Sequence, residues 1–281
     1  VDKYWLGENE MATKIEWADE VWNPVTGCSP VSEGCRHCYA RRMATRLKGR
    51  FGYPSDDPFK VTFHPDRLNQ PLKWKKSRMV FVCSMGDLFH PDVDEEWILA
   101  VWQAMGEFYD AEGEILPVKD RPGHTYLVLT KRPERALDVL SRRYPRGFER
   151  RNVWIGVSVE DQEQANKRLP VLMQIPATVR FVSLEPMLGP VNLKPYLCGF
   201  KKEWDAGDIY TSPAPVLDWV IAGCESGPGR RRADWDWFSF TKDQCRAYGK
   251  NVPFFLKQME VDGKLVKMPV LDGKVWDEAP K

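Results

Sequence analysis

No run in the 281 residues approaches the roughly eighteen consecutive apolar positions that a membrane-spanning helix needs. No basic segment followed by an apolar core opens the chain, so nothing in it reads as a secretory signal. Histidine is scarce, at four residues, and neither sign of charge dominates, with 41 Lys and Arg against 40 Asp and Glu. No GxGxxG follows the first apolar run, which removes the commonest signature of a doubly wound nucleotide-binding sheet. No second CxxC is present to complete a four-cysteine zinc site, and no segment repeats at a fixed period. With 20 Gly and 22 Pro the chain is not fibrous, and 29% charged with 12% aromatic residues is not the composition of a disordered one. A 43% hydrophobic fraction over this length supplies a sizeable core. The expectation is a globular, cytoplasmic protein with no membrane partner. Met11-Ala12-Thr13 reads as a natural start, and residues 1–10 ahead of it as an alternative beginning or an addition.

What is present is a series of near-continuous apolar runs of strand length. They are residues 78–84 (RMVFVCS), 125–130 (TYLVLT), 152–159 (NVWIGVSV), 179–184 (VRFVSL), 218–223 (DWVIAG) and 252–256 (VPFFL). Continuous rather than alternating hydrophobicity marks strands buried on both faces. Helical stretches follow several of them. Trp97, Ile98, Val101, Trp102 and Met105 share one face behind the acidic start at residues 90–96. Ala136, Leu137 and Leu140 do so behind Pro133. Residues 160–173 read as a helix until Pro170 interrupts it, and residues 234–248 as another. Proline crowds the segment after the fourth run. Alternating strands and helices imply a parallel sheet. The predicted fold is α/β: a parallel (β/α) barrel of the TIM-barrel kind, partial, with about six βα units and a further strand near residues 14–17. Residues 15–260 form the single domain, with long loops or lids inserted at 49–76 and 197–215. Residues 1–14 are an extension and 261–281 a tail. In such a fold the chemistry lies on loops leaving the C-terminal ends of the strands.

Seven cysteines is an odd number, and three of them, Cys28, Cys35 and Cys38, fall within eleven residues. Their pattern, Cys-x6-Cys-x2-Cys, lets a turn point two sulfurs at one metal centre while a third closes from the incoming loop. Gly27 and Gly34 each precede a cysteine. Zinc would need a fourth ligand, and a secreted disulfide scaffold would be shorter and denser in cysteine. Three thiolates around a cluster with one open iron is the leading reading, with a zinc-stabilised binding protein the alternative.

Three cysteines at the head of a βα series resemble a radical S-adenosylmethionine enzyme. More closely, Trp22-Asn-Pro-Val-Thr-Gly-Cys28 and Gly34-Cys-Arg-His-Cys-Tyr-Ala40 resemble an uncharacterised family of phage and bacterial three-Cys-motif proteins. The resemblance runs from Ile15 to Met259 and takes in Gly86-Asp-Leu-Phe-His90, Leu129-Thr-Lys-Arg-Pro133, Ser183-Leu-Glu-Pro186 and Gly223-Cys-Glu-Ser-Gly227. It implies that Cys28, Cys35 and Cys38 bind a [4Fe-4S] cluster. S-adenosylmethionine would chelate the fourth iron and be cleaved by one electron to a 5′-deoxyadenosyl radical. An electron donor such as flavodoxin or ferredoxin is implied as a partner. The chain departs from the superfamily in its longer first loop and in Ser84-Met85-Gly86-Asp87, which replaces a Gly-Gly-Glu element. The superfamily often has an aromatic packed near the adenine just before the last cysteine; His37 stands at that position here, and Tyr39, just after the cysteine, is a cofactor-binding candidate.

Polar residues at the other strand ends converge on one mouth if the barrel is right. Asp87 is a candidate acceptor for the methionine ammonium, and Ser158 and Glu160 are candidates for ribose hydroxyls. Ser183, Glu185, Glu225 and Ser226 stand beside them. A helix cap or a solvated loop charge is the plain alternative for each. Cys83 and Cys224 end their runs and are candidates for returning a hydrogen atom to a substrate radical, against plain packing. His64 and His90, both before prolines, read as turn or capping residues. Residues 131–151 carry eight basic side chains (Lys131, Arg132, Arg135, Arg142, Arg143, Arg146, Arg150, Arg151) against three acidic. With Arg230-Arg231-Arg232 and Lys73-Trp-Lys-Lys76 they suggest phosphate binding and a nucleic-acid substrate, Lys131, Arg132, Arg230, Arg231 and Arg232 being the phosphate candidates. Three classes stay open: a radical enzyme on a nucleic-acid base, one on a protein or small molecule, and a zinc-stabilised binding protein.

Overall fold

The computed structural model describes residues 15–106, 123–144, 151–198, 216–248 and 251–280, with the backbone of a two-stranded ribbon at Phe108–Tyr109 and Ile115–Leu116. Residues 1–14, Arg146, Arg150 and most of the 197–215 insertion lie outside the described residues. All six apolar runs form strands of one sheet: β2 (Met79–Val82), β3 (Thr125–Thr130), β4 (Val153–Ser158), β5 (Arg180–Leu184), β6 (Trp219–Gly223) and β7 (Phe254–Val261). Ahead of them stands β1 (Glu20–Trp22), and β8 (Lys264–Lys267) follows. Each strand lies beside its predecessor in the chain, parallel from β1 to β7, with β8 turning back antiparallel. Such single winding is the order of a (β/α) barrel rather than of a doubly wound sheet. The sheet stays open, since β1 and β8 are its two edges. It is a curled half-barrel, not a closed one.

Aromatic contacts record the curl. Trp17, just before β1, packs on Phe81 of β2 with ring centroids 4.7 Å apart, and also on Trp219 of β6 at 6.3 Å. Those strands are separated by three others in the sheet. Trp154, Phe181 and Phe255 add rings at 6.1, 5.9 and 6.2 Å from Trp219. Each such pair contributes about 0.5–1.5 kcal/mol beyond the area it buries. The opposite face buries Val80, Val82, Val128, Ile155, Val182, Val220 and Leu256 beneath the helices. Pleating explains the division, since alternate residues of a strand point to opposite faces. The inward set changes character along the strands. Trp154, Phe181, Trp219 and Phe255 fill the base, while Ser158, Ser183 and Lys257 occupy inward positions nearer the C-terminal ends.

The helices α1 (Tyr39–Arg46), α2 (Glu95–Ala104), α3 (Pro133–Arg143), α4 (Gln162–Leu172), α5 (Lys194–Leu197) and α6 (Trp235–Ala247) complete the fold. Asp161 and Asp234 cap α4 and α6 through their carboxylates, which accept from Gln164 N and Asp236 N. Ile98, Val101, Trp102 and Met105 are fully buried, as their spacing predicts.

Four expectations change. The first strand is at Glu20–Trp22; residues 16 and 17 form a turn, and Trp17 joins the inner aromatic cluster instead. Pro170 does not end α4 but lies inside its last turn. There it costs the helix one amide hydrogen bond, two residues before the helix ends. The tail at 261–281 belongs to the domain, because Leu271 and Trp276 are buried in the main core and Leu256 N donates to Trp276 O at 2.8 Å. The insertion at 49–76 is no lid. Thr62–Phe63 pairs antiparallel with Val25–Thr26, and Arg67 donates to Asn23 O at 3.0 Å, so it forms the floor under the cysteine loop.

His64 anchors that floor. Its Nε2 lies 2.8 Å from Thr26 Oγ1, and the residue is 4% exposed. Burial, with Arg67 close by, pushes its pKa down from 6.5 to about 4. Between those values the unfolded chain binds a proton that the folded one refuses. The contribution is therefore complete above pH 6.5 and is lost as pH falls toward 4, on the order of 2 kcal/mol. The urea midpoint is expected to drop between pH 7 and pH 4.5, and His64→Gln to remove a good part of that drop. An equal slope in both proteins would refute the assignment.

Candidate functional site

The C-terminal ends of the strands carry a girdle of carboxylates, each tied to a cation. Asp87, after β2, is 4% exposed and accepts from Phe89 N, Thr130 Oγ1, Lys131 N and Arg132 Nη1 at 3.0, 2.8, 3.1 and 3.0 Å. Glu160, after β4, is wholly buried between Lys131 and Arg168, the latter at 3.0 Å. Glu185, after β5, pairs with Lys257 at 3.0 Å and accepts from Ser183 Oγ at 3.1 Å. Glu225, after β6, takes Arg231 Nη2 at 2.6 Å and His37 Nδ1 at 2.9 Å. Burial works against the Glu225 charge, but the Arg231 and His37 hydrogen bonds outweigh it and hold the pKa at about 2.

The cysteine loop is laid across this girdle. Gly27 bridges to Gly86 beside β2, and Cys28 N donates to Phe59 O at 3.1 Å. Residues Glu33–Cys35 form a single 3-10 turn, and Cys38 stands at the N-cap of α1. Gly34 lies against Glu160 so closely that a Cβ there would come within 2.2 Å of the Glu160 Cγ. His37 ties the CxxC turn to Glu225 across a gap of 188 residues in sequence. Arg132, 9% exposed, joins the loop to Asp87: it donates to Cys28 Sγ at 3.4 Å, Ser29 O at 2.9 Å and Ser29 Oγ at 3.2 Å. His90 Nε2 meets Ser29 Oγ at 2.7 Å, and Asp92 N donates to its Nδ1, so His90 serves as the turn residue its position suggests.

All three loop cysteines are half-buried and free of disulfides. Burial and the Asp87 charge push the Cys28 thiol up to about 11, with Arg132 pulling the other way. Cys35 lies near enough to Cys28 to oppose its ionisation. A cation at the loop would reverse that balance, because metal uptake displaces the thiol proton. Among the described residues, no three His, Cys, Asp or Glu side chains gather as they would around a single metal ion.

The site residues expected from the sequence are not all placed as their readings require. Asp87 has its acceptor positions filled by the protein and acts as the anchor of Arg132. Lys131, Arg132 and Arg231 spend their charge on Glu160, Asp87 and Glu225, and Arg230 is bound to Glu260 at 2.7 Å. Arg232 is 88% exposed on its side chain and lies 3.5 Å from Glu260. Arg142 and Arg143 pair with Glu95 of α2. Among the described residues of the run from 131 to 151, Lys131, Arg132, Arg142 and Arg143 are thus ion-paired, and Arg135 donates to Pro91 O and Val93 O. Ser158 offers its carbonyl to Arg168 at 2.7 Å. Tyr39 donates to Ser84 O, while 45% of the residue stays exposed. Cys83 and Cys224 are 3% exposed in the apolar layer between sheet and helices, where burial raises their thiols to about 12 and about 11. Plain packing explains that placement.

With this geometry in hand, one family model matches the chain from residue 12 to residue 280, nearly its whole length. The chain belongs to the family described as protein of unknown function (DUF5131). No curated protein and no solved structure matches it. For this DUF5131 chain, then, the side chains themselves carry the functional argument.

Several of those side chains escaped the sequence reading. Arg168 occupies an apolar-stripe position between Ala165, Leu169 and Leu172, and a charge on the buried face of α4 is the signal that it has a buried partner. Lys257 follows directly on the apolar run of β7, at an inward position. A longer-range signal lies just past Cys35. Residues 36–50 contain six basic residues (Arg36, Arg41, Arg42, Arg46, Lys48, Arg50) and not one acid.

Proposed function

We propose that this DUF5131 protein is a radical S-adenosylmethionine-type enzyme that holds a [4Fe-4S] cluster on Cys28, Cys35 and Cys38 and acts on a nucleic-acid base. The observation that supports it most is the placement of three free cysteines on one loop, packed on the C-terminal rim of a singly wound parallel sheet. A fold of this kind implies no reaction by itself, so the weight rests on the loop. The donor set suits the group: each thiolate of a cubic cluster meets a different iron, so the sulfurs need not converge on one point as they must around a lone zinc. When bound, the cluster supplies the single electron that cleaves the sulfonium of S-adenosylmethionine, delivered to it by a donor such as flavodoxin or ferredoxin.

The chain's own groups bind, orient and exclude water. Arg132 brings a fixed positive charge and a hydrogen bond to Cys28 Sγ, the kind of outer contact that tunes a ligating sulfur. Glu160 and Glu225 hold the loop from beneath and beside through Gly34 and His37. Ser183, Glu185 and Lys257 offer adjacent acceptors and donors of both signs above the aromatic base, a pairing suited to the ammonium and carboxylate of an amino acid. Trp154, Phe181 and Trp219 close the floor to water.

Anaerobic reconstitution followed by metal analysis tests this directly. Iron and sulfide are expected in the ratio of a four-iron cluster, with 5′-deoxyadenosine formed from S-adenosylmethionine under dithionite. Alanine at Cys28, Cys35 or Cys38 is expected to abolish both. One zinc per chain, or no metal in any preparation, would overturn the proposal in favour of a binding protein.

A further inference from the structure

We infer that the outer face of α1 and the turn after it form a track for the phosphate backbone of a single-stranded nucleic acid, leading the strand to the cysteine rim. The inference deepens the substrate half of the reading above and is independent of its cluster half. Arg41, Arg46, Lys48 and Arg50 are all exposed there. Among the described residues none of them lies within ion-pair distance of an acid, whereas Arg132, Arg142, Arg168, Arg230 and Arg231 all do. Lys48 is near enough to Asp56 to help lower that carboxyl's pKa, without forming an ion pair with it. An unneutralised row of cations is what a polyphosphate chain selects, because each contact releases condensed counterions.

Apolar side chains are exposed on the same segment, and by their spacing Tyr39 and Met43 share the side of α1 that carries Arg46. Tyr39 and Phe51 are 45% and 43% exposed, and Met43 is 43% exposed on the same helix. Exposed rings beside arginines suit unpaired bases, which stack without sequence preference. The position of the face decides its use. Because α1 begins at Tyr39, immediately after Cys38, a strand held along it passes within a helical turn of the loop. Arg42 is not part of the track: it donates to Ser226 O at 3.0 Å against Gly227 and fixes α1 to the loop after β6.

Fluorescence anisotropy of a labelled single-stranded oligonucleotide tests the track, as DNA and as RNA, across a salt series. Binding is expected to weaken steeply with salt. The triple variant R41Q/R46Q/K48Q is expected to bind at least about tenfold more weakly at low salt and to lower the log–log salt slope by about 2, at roughly 0.7 per lost phosphate contact. The R142Q/R143Q control is expected to match the parent. An absence of salt-dependent binding, or a triple variant equal to the parent, would overturn the inference. So would binding of an acidic protein such as flavodoxin, but no oligonucleotide, through the same three side chains. Iron content separates the two proposals: the triple variant should load like the parent, and a parent without iron defeats the cluster while leaving the binding result standing.

Discussion

Glu160→Ala is expected to destabilise the protein by about 3–5 kcal/mol in urea or guanidinium titrations, because it strands buried charge. The Glu160 carboxylate is wholly buried and answers two cations, Lys131 from the end of β3 and Arg168 from α4. The Arg168 side chain is 4% exposed and has no route to water, while that of Lys131 is 19% exposed and can swing outward. Most of the cost therefore belongs to Arg168. Glu160→Leu combined with Arg168→Leu is expected to recover much of the loss, since replacing both ions leaves nothing unpaired. Glu160→Gln, which keeps shape and one acceptor, should fall between. The same carboxylate stem is the surface on which Gly34 rests, so Glu160→Ala is also expected to lower iron retention by the loop. A loss below about 1 kcal/mol would mean that Arg168 reaches solvent and that the girdle is not a rigid base.

Much of this girdle is legible in the amino-acid order, and the remainder is hidden for physical reasons. Carboxylates follow β2, β4, β5 and β6 at the places where apolar runs stop, and strand ends are where a (β/α) fold puts its polar groups. Their cationic partners are harder to see. Arg168 and Lys257 reach the girdle from a helix and from a neighbouring strand, and tertiary proximity leaves only the faint trace of a charge at a buried position. Local counting misleads for the same reason. The basic excess after Lys131 looks like an open surface, yet Arg142 and Arg143 are answered by Glu95, about 47 residues earlier in the chain and adjacent in space. Residues 36–50 are the opposite case: Arg36 meets Glu33 and Arg42 a main-chain carbonyl, but Arg41, Arg46, Lys48 and Arg50 have no acid within ion-pair distance among the described residues. Among the strands, the doubly buried ones announce themselves by composition. β1 is only three residues long and β8 is an exposed edge bearing Lys264 and Lys267, so neither needs an apolar run to exist.

Gly27→Ala is the substitution expected to separate the cysteine loop from the fold that carries it. Gly27 has φ +87°, a conformation that costs an L-residue about 1–3 kcal/mol. Space is a second obstacle, because a Cβ there would come within 2.2 Å of Lys60 O and 2.7 Å of Phe59 O, both main-chain atoms of the floor. Neither can turn aside as a side chain could. The segment at 59–60 must move, and with it goes the bond from Cys28 N to Phe59 O that sets the first cysteine. The aromatic base around Trp219 lies on the other end of the strands and takes no part in that displacement. The expected result is a protein that still unfolds cooperatively with its tryptophan emission intact, at a stability lower by about 2–4 kcal/mol, and that has lost most of its capacity to bind iron. The iron-to-protein ratio measured beside the denaturation curve checks both halves. Full iron loading in Gly27→Ala would show that the floor beneath Cys28 yields freely, and that the loop takes its shape from the metal rather than from the sheet beneath it.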